Sequence, residues 1–373
     1  MLRSGIPLGK LFGISIRLHI SWFIIFALLT WGLSVEYFPQ EHPDWTSAQY
    51  VILSIITSLL FFSSILLHEL AHSIVAQRAG LPIDSIVLFI LGGVSQMTDE
   101  PKDAGTEFRV AIAGPLTSIA ISFFSFVIFL ASYNRIEPIA AVTFLLAVIN
   151  IGLALFNLIP GFPLDGGRVL RSIVWWQTHN VRRATKVAST IGKGVSFLFI
   201  VFGIVMVFSE YWINGVWMII VGWFLHNAAT GSYQQLALKI AIEGHKAEEV
   251  MHQGYIAMSP DITIEELVNN YILTTGRRCF PVIQDGHLIG LVTMRNVSSV
   301  PRDAWANTTV NTAMTPLGKF KVVKPDDDLF NVMQLMITED IDQIPVVSDG
   351  LVVGVVIRDD IMNFVETRAK LGM

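Results

Sequence analysis

Apolar runs long enough to cross a bilayer dominate the first part of this 373-residue chain. A transmembrane helix needs about 20 mostly apolar residues. Only 15% of the residues are charged, against about 25% in soluble domains. We therefore predict an α-helical polytopic membrane domain over residues 1–236, followed by a soluble part in which acidic residues become frequent. The six candidate spans are residues 18–35, 49–77, 107–132, 138–160, 191–209 and 213–231.

The basic residues predict how this domain is oriented. They cluster before the first span and after the fourth, and the positive-inside rule places both regions in the cytoplasm. With an even number of spans, both termini and the soluble part are expected on the cytoplasmic side of the cell membrane. No cleavage site follows the first apolar run, so we expect this run to be retained. The residues counted are Arg3, Lys10, Arg17, Arg168, Arg171, Arg182, Arg183, Lys186 and Lys193.

The second apolar run contains the sequence HELAH at residues 68–72. Polar groups are costly inside a bilayer, so their presence favours a functional role. His68 and His72 are one helical turn apart on one face, so both imidazoles can reach one metal ion. In the His-Glu-x-x-His pattern the intervening Glu69 acts as general base. The alternative is a hydrogen-bond network that only holds helices together.

The sequence NLIPGFPLDGGR at residues 157–168 offers a third ligand. Its prolines and glycines should end the fourth helix and leave irregular backbone at membrane depth. Asp165 is then the best candidate, because catalytic zinc usually takes three protein ligands. Asn157 could donate its amide to a developing oxyanion. Two imidazoles and a carboxylate suit one zinc ion, whereas the alternative for LDGGR is a plain turn with an exposed acid.

At these residues the chain resembles the site-2 protease family of intramembrane metalloproteases. The resemblance implies a zinc ion held by His68, His72 and Asp165, with Glu69 as catalytic base and Asn157 binding substrate or stabilising the oxyanion. It also implies that IVLFILGGVSQM forms a membrane re-entrant β-hairpin that can pair with an unwound substrate. The matching pieces, in the family's order, are HELAH at 68–72, GGV at 92–94, AGP at 113–115 and NLIPGFPLDGG at 157–167. The piece AGP is interpreted as a site of close helix packing.

The soluble part contains two similar units. Phe280-Pro281-Val282 matches Ile344-Pro345-Val346, and Val250-Met251 matches Ala313-Met314. Each unit reads as strand, helix, strand, strand, helix. The units resemble a tandem pair of cystathionine-β-synthase (CBS) domains, over residues 244–300 and 307–373.

CBS domains often bind adenine nucleotides through a Ser or Thr followed three residues later by Asp. The first unit has Thr293 but Asn296 at the second position, and the second has Asp360 but Ile357 at the first. Two hypotheses therefore remain for the CBS pair: it binds a nucleotide through Thr293 and Asp360, or it is purely structural or forms dimers.

These features predict an intramembrane zinc endopeptidase that cleaves a transmembrane segment of a single-pass membrane protein, as in regulated intramembrane proteolysis. Membrane lipids and a second copy, bound through the CBS domains, are the other expected partners. A net charge of −5 argues against nucleic-acid binding. The alternatives are a transporter or channel with a CBS regulator, or an inactive scaffold. A transporter is disfavoured because the sequence shows no repeat symmetry typical of that class. An inactive scaffold is disfavoured because Glu69 and the three proposed metal ligands are all present.

Overall fold

The computed structural model describes residues 5–90, 92–97, 101–339 and 341–371. The chain divides into two compact units, Met1–Gln234 and Gln235–Met373. The helices of the first unit begin with side-chain caps where the sequence provides them. Thr46 and Gln49 form a capping box at the helix that begins at Ser47, and Asp103 caps the helix that begins at Ala104. The helices are α1 (Ile20–Gly32), α2 (Phe38–Glu41), α3 (Ser47–Arg78), α4 (Ala104–Ser132), α5 (Glu137–Asn157), α6 (Asp165–Thr178), α7 (Val181–Val207) and α8 (Trp212–Ile242).

Within the described residues, five helices are long and apolar enough to cross a membrane. Each overlaps one of the first five spans predicted from the sequence. The sixth predicted span falls on α8, which has 31 residues. This helix is long enough to cross but is not among the five, and its predicted span contains Asn214, His226 and Asn227. The five helices are Ile20–Glu41, which includes α1 and α2, and α3, α4, α5 and α7.

The predicted break in the fourth span is confirmed. Helix α5 ends at Asn157 and α6 begins at Asp165, with irregular backbone between them. The segment is fastened to α7, since the backbone N–H of Phe162 donates to the carbonyl of Ala188 at 3.2 Å. A Cβ on Gly161 would lie 2.6 Å from the Cα of Gly192. Only glycine allows this close approach of the segment to α7.

A four-stranded sheet belongs to the same unit, in the order β1-β2-β3-β4. The predicted hairpin is confirmed as β3 and β4, in which Val87 lies opposite Val94; its tip residue, Leu91, lies outside the described residues. The hairpin of β1 and β2 was not predicted, although Ile14, Ile16 and Leu18 alternate with polar positions and are buried. Strands β2 and β3 are parallel, and the other pairs are antiparallel. The strands are β1 (Ile6–Leu11), β2 (Ile14–Leu18), β3 (Ile83–Phe89) and β4 (Gly92–Met97).

The second unit contains two matching β-hairpins, with Phe280 opposite Val292 in one and Ile344 opposite Val356 in the other. The first strand predicted for each repeat is reduced to one parallel bridge, Met258 to Val282 and Val323 to Val346. The strands are β5 (Cys279–Gln284), β6 (His287–Thr293), β7 (Thr315–Pro316), β8 (Gln343–Ser348) and β9 (Leu351–Ile357). The helices are α9 (Ile264–Leu267), α10 (Leu273–Thr275), α11 (Met294–Ser299), α12 (Val310–Ala313), α13 (Leu329–Glu339) and α14 (Arg358–Leu371).

The two repeats exchange their first segments. Val250 and Met251 lie near the start of the first repeat but pack against the core of the second, around Leu329. Ala313 and Met314 lie near the start of the second repeat but pack against the core of the first. The two repeats therefore stabilise each other, because each completes its apolar core with the other's leading segment.

We expect the single cysteine to resist alkylation in the folded protein. Cys279 begins β5, and burial raises the pKa of its thiol to about 12. The reactive thiolate is then scarce below about pH 11, so a maleimide should react slowly at pH 8 and rapidly after denaturation. A Ser259→Cys variant provides the matched control, since Ser259 is exposed. Equal rates at the two positions would contradict the raised pKa of the Cys279 thiol.

Candidate metal centre

Three side chains from two helices of the first unit converge on one point. Helix α3 carries His68 and His72, and Asp165 is the first residue of α6. The Nε2 atoms of His68 and His72 lie 3.1 and 3.2 Å from the Oδ2 atom of Asp165. Their ligand atoms all lie within 4.8 Å of one another. The structure thus brings together the three metal ligands expected from the sequence. Asp165 lies 93 residues after His72 and 97 residues after His68 in the chain.

The outer nitrogen of each imidazole is held by helix α4. Nδ1 of His72 lies 2.6 Å from the carbonyl oxygen of Val110, and Nδ1 of His68 lies 2.9 Å from Oγ of Ser118. A carbonyl oxygen only accepts, so Nδ1 of His72 carries the proton and donates it. In the neutral ring, Nε2 is then the unprotonated nitrogen that can bind a metal ion. Second partners of this kind fix the tautomer and ring orientation of histidine ligands.

The donor set fits zinc. A tetrahedral zinc site with bonds of 2.0–2.1 Å separates its ligand atoms by roughly 3.3 Å, close to the separations of 3.1 and 3.2 Å found here. Two imidazoles and a carboxylate are also a donor set that zinc accepts. Gly114 of α4 lies against both rings: a Cβ there would be 2.5 Å from Nε2 of His68 and nearer still to Nε2 of His72. The absence of a side chain at Gly114 leaves the space that an ion would fill.

Glu69 lies beside strand β4. A Cβ on Gly93 would be 2.5 Å from Cγ of Glu69 and 3.2 Å from its carboxyl carbon. One turn later on α3, Oγ of Ser73 lies 2.8 Å from Oγ of Ser95, which fastens the strand to the helix. The Glu69 carboxylate therefore lies next to the edge strand of the sheet, and Glu69 directly follows the candidate metal ligand His68 in the chain.

Asn157 is the last residue of α5 and is partly buried. It precedes Asp165 by the irregular segment 158–164, so the two residues stand at opposite ends of the break in the helix. This position leaves the oxyanion role of Asn157 a prediction.

The sequence interpretation missed the contribution of α4. Val110, Gly114 and Ser118 are spaced four residues apart and lie on one face of that helix, where they contact the imidazoles. The predicted close packing at AGP is confirmed, but its role is to admit the two rings. A stripe of small and polar residues at helical spacing inside an apolar span was the signal that could have revealed this face.

We expect Ser118→Ala to weaken zinc binding by roughly 10- to 100-fold, the usual effect of losing an outer partner of a histidine ligand. The change removes the hydrogen bond to Nδ1 of His68 and leaves that ring free to turn. Zinc retention against a chelator measures the effect. Ser122→Ala is the matched control, since Ser122 donates to the carbonyl of Ala147. If both variants retain zinc like the unmodified protein, Ser118 does not orient His68.

The two residues proposed for nucleotide binding are engaged by neighbours. The Thr293 hydroxyl donates to Oδ1 of Asn296 at 2.7 Å, and the two residues form a capping box at α11. Oδ2 of Asp360 lies 2.9 Å from Nε2 of His252. Thr293 and Asp360 belong to different repeats, and each has a structural partner within the described residues.

Comparison with known proteins is consistent with both units. The profile of Peptidase family M50 matches residues 56–142 and 131–202, and the CBS domain profile matches residues 247–303 and 310–367. A Synechocystis sp. protein provisionally named a zinc metalloprotease is 34% identical over 375 residues, 99% of this chain and 97% of that protein. A zinc metalloprotease of Methanocaldococcus jannaschii is 29% identical over 373 residues, 99% of each chain. The solved site-2 protease of that organism is 33% identical, covers 62% of this chain and 95% of its own, and superposes with a TM-score of 0.41.

The apolar helices, together with the similarity to zinc metalloproteases along almost the whole chain, identify a membrane metalloprotease. The chain belongs to peptidase family M50, the site-2 proteases, and carries tandem CBS domains. It is a zinc-dependent metalloendopeptidase of that type.

Proposed function

We propose that this protein cleaves a transmembrane segment of another membrane protein, as in regulated intramembrane proteolysis. The observation that carries the proposal is the convergence of His68, His72 and Asp165 on one point inside a bundle of apolar helices. Polar groups at such a depth mark functional sites, because an unused carboxylate there is unfavourable.

His68, His72 and Asp165 would hold one zinc ion. When bound, the ion lowers the pKa of water and polarises a substrate carbonyl. Glu69 would take the proton of the attacking water and deliver it to the leaving amine, as a general base and then a general acid. Asn157 would donate its amide to the oxyanion that develops on the cleaved carbonyl.

The substrate would be an extended segment of a single-pass membrane protein. A carbonyl within an intact helix is already hydrogen-bonded and shielded, so the segment must unwind before attack. Strand β4 is at one edge of the sheet, and a peptide can add to such an edge through main-chain hydrogen bonds. Gly93 of this strand lies against the Glu69 side chain. A segment paired there would lie close to the proposed catalytic base.

Metal analysis of the purified protein, together with a cleavage assay on a single-span substrate, tests this function. We expect one zinc ion per chain and cleavage within or near the substrate's membrane segment. Removal of zinc by a chelator should stop cleavage, and returned zinc should restore it. A folded protein that contains no metal and cuts nothing would contradict the proposal.

We also propose that both termini and the CBS pair lie on the cytoplasmic side of the cell membrane, with lipids around the apolar helices. Support comes from Arg182, Arg183 and Lys186, which are exposed at the start of α7. A Ser259→Cys variant, in a Cys279→Ser background, should react with an impermeant maleimide only after the cytoplasmic face is opened. Reaction in intact cells would place the CBS pair outside.

The CBS pair is proposed to modulate the protease by binding an adenine nucleotide, with Thr293 near a phosphate and Asp360 near the ribose. Because Thr293 is engaged by Asn296 and Asp360 by His252, binding would exchange these contacts for the nucleotide. AMP or ATP at millimolar concentration should then raise the melting temperature. An unchanged melting temperature would favour a CBS pair that is purely structural or that forms dimers. The oligomeric state of the protein in detergent would distinguish these two alternatives.

A further inference from the structure

A buried ion pair lies in the first unit, apart from the proposed metal donors. Glu107 of α4 is 0% exposed and Arg171 of α6 is 6% exposed. Nε of Arg171 donates to Oε1 of Glu107 at 2.5 Å, and Nη2 contacts the same oxygen. Arg171 is one of the basic residues after the fourth predicted span, yet it is buried in α6. Two charges withdrawn from water carry a large desolvation penalty, so their placement calls for a role.

The pair joins the two helices that organise the metal donors. On α4, Glu107 is followed at helical spacing by Val110 and Ser118, whose oxygens hold the two imidazoles. On α6, Arg171 lies less than two turns after Asp165, the first residue of that helix. The ion pair therefore ties the helix that orients the histidines to the helix that carries the carboxylate.

Arg171 also contacts the chain on the other side of Asp165. Its guanidinium carbon lies 5.4 Å from the centroid of the Phe162 ring, within the range of a cation–π interaction. Phe162 belongs to the irregular segment that leads into Asp165, and its backbone N–H is bound to α7. One guanidinium thus holds the segment before Asp165 and the helix after it.

We propose that Glu107 and Arg171 are positioning residues that fix Asp165 against the two imidazoles. The proposal rests on the proposed function, since it takes His68, His72 and Asp165 as the zinc ligands. Stability alone does not account for the pair, because a buried ion pair can often be replaced by neutral residues of similar size without loss of stability. The ion pair instead provides a rigid link between α4 and α6, and a neutral pair of similar volume would not reproduce that link.

The double variant Glu107→Gln with Arg171→Met separates positioning from stability. It removes both charges of the buried pair together, so we expect it to melt close to the unmodified protein. It should nevertheless release zinc to a chelator about 10-fold faster, at the lower end of the effects known for outer partners of metal ligands. The visible spectrum of the cobalt-substituted protein should change as well, because that spectrum reports ligand geometry without catalysis.

The matched control removes a second ion pair of the same unit. His42 and Glu137, whose Nδ1 and Oε1 atoms are 2.7 Å apart, lie at the opposite end of α5 from the break before Asp165. The double variant His42→Gln with Glu137→Gln should retain zinc and the cobalt spectrum unchanged. Arg171→Lys is a second test: it keeps the charge but lacks the planar fork, so it should also release zinc faster.

Unchanged zinc release and an unchanged cobalt spectrum, in the folded double variant or in Arg171→Lys, would overturn the positioning role. If both doubles released zinc equally fast, the effect would be general to the bundle and the proposal would also fail. Absence of zinc from the unmodified protein is a different result, because it would contradict the proposed function itself.

Discussion

Replacement of Glu69 by glutamine is expected to slow cleavage by roughly 10²- to 10⁴-fold, the usual contribution of a general base. Glutamine has nearly the same shape, but its amide cannot accept the proton of the attacking water. The three proposed donors are His68, His72 and Asp165, so zinc should remain bound. Turnover of a single-span substrate and the zinc content of the same sample measure both outcomes.

Glu36→Gln is the control for this experiment, because Glu36 is exposed in the π-helical turn after α1. It makes the same chemical change and should cleave like the unmodified protein. If Glu69→Gln kept zinc and cleaved at the normal rate, the base would have to be another group. If it lost zinc, Glu69 would belong to the ligands.

Gly114→Ala is expected to weaken zinc binding by about 10- to 100-fold and to lower cleavage in proportion. The added methyl group would stand 2.5 Å from Nε2 of His68, inside the space between the two imidazoles. Either the rings turn away or α4 moves from α3, and overpacking of this kind costs about 1–3 kcal/mol. Zinc content after dialysis against a chelator, and turnover at saturating zinc, are the measurements.

The chain offers a close control in Gly152→Ala. Gly152 also lies within an apolar helix, and no atom beyond its chain neighbours and its own helix backbone lies within 4 Å of a Cβ placed on it. This variant should keep zinc and activity, and could gain slight stability because alanine favours the helix. Equal zinc binding in the two variants would show that α4 can move to accommodate the methyl group. Glycine at position 114 would then not be required for the space between the two imidazoles.

Local features of the chain predicted much of the candidate site. The structure contains two such features as expected: the spacing of His68 and His72 by one helical turn, and the break in the helix between Asn157 and Asp165. Both depend on only a few neighbouring residues. The β3–β4 hairpin is also present. Helical periodicity and the effect of proline act over one or two turns. Features that depend on them can therefore be predicted without knowing how the helices pack.

Long-range contacts escaped the sequence interpretation. Ser118 is 50 residues from His68, and Arg171 is 64 residues from Glu107. Which face of α4 meets α3 and α6 depends on how all the side chains pack, and the sequence carries that information only as a stripe of small and polar residues. The exchange of Val250-Met251 and Ala313-Met314 between the CBS repeats escaped for the same reason.

The sequence by itself determined that this chain forms apolar helices with a metal-type histidine pair, followed by two CBS repeats. It could do so because hydrophobic length, helical spacing and repetition are properties of the linear chain. Only the tertiary structure decided that Asp165 meets both imidazoles, that α4 orients them, and that Glu107 and Arg171 tie their helices together. These features depend on contacts between residues far apart in the chain, which form only when the helices pack against one another.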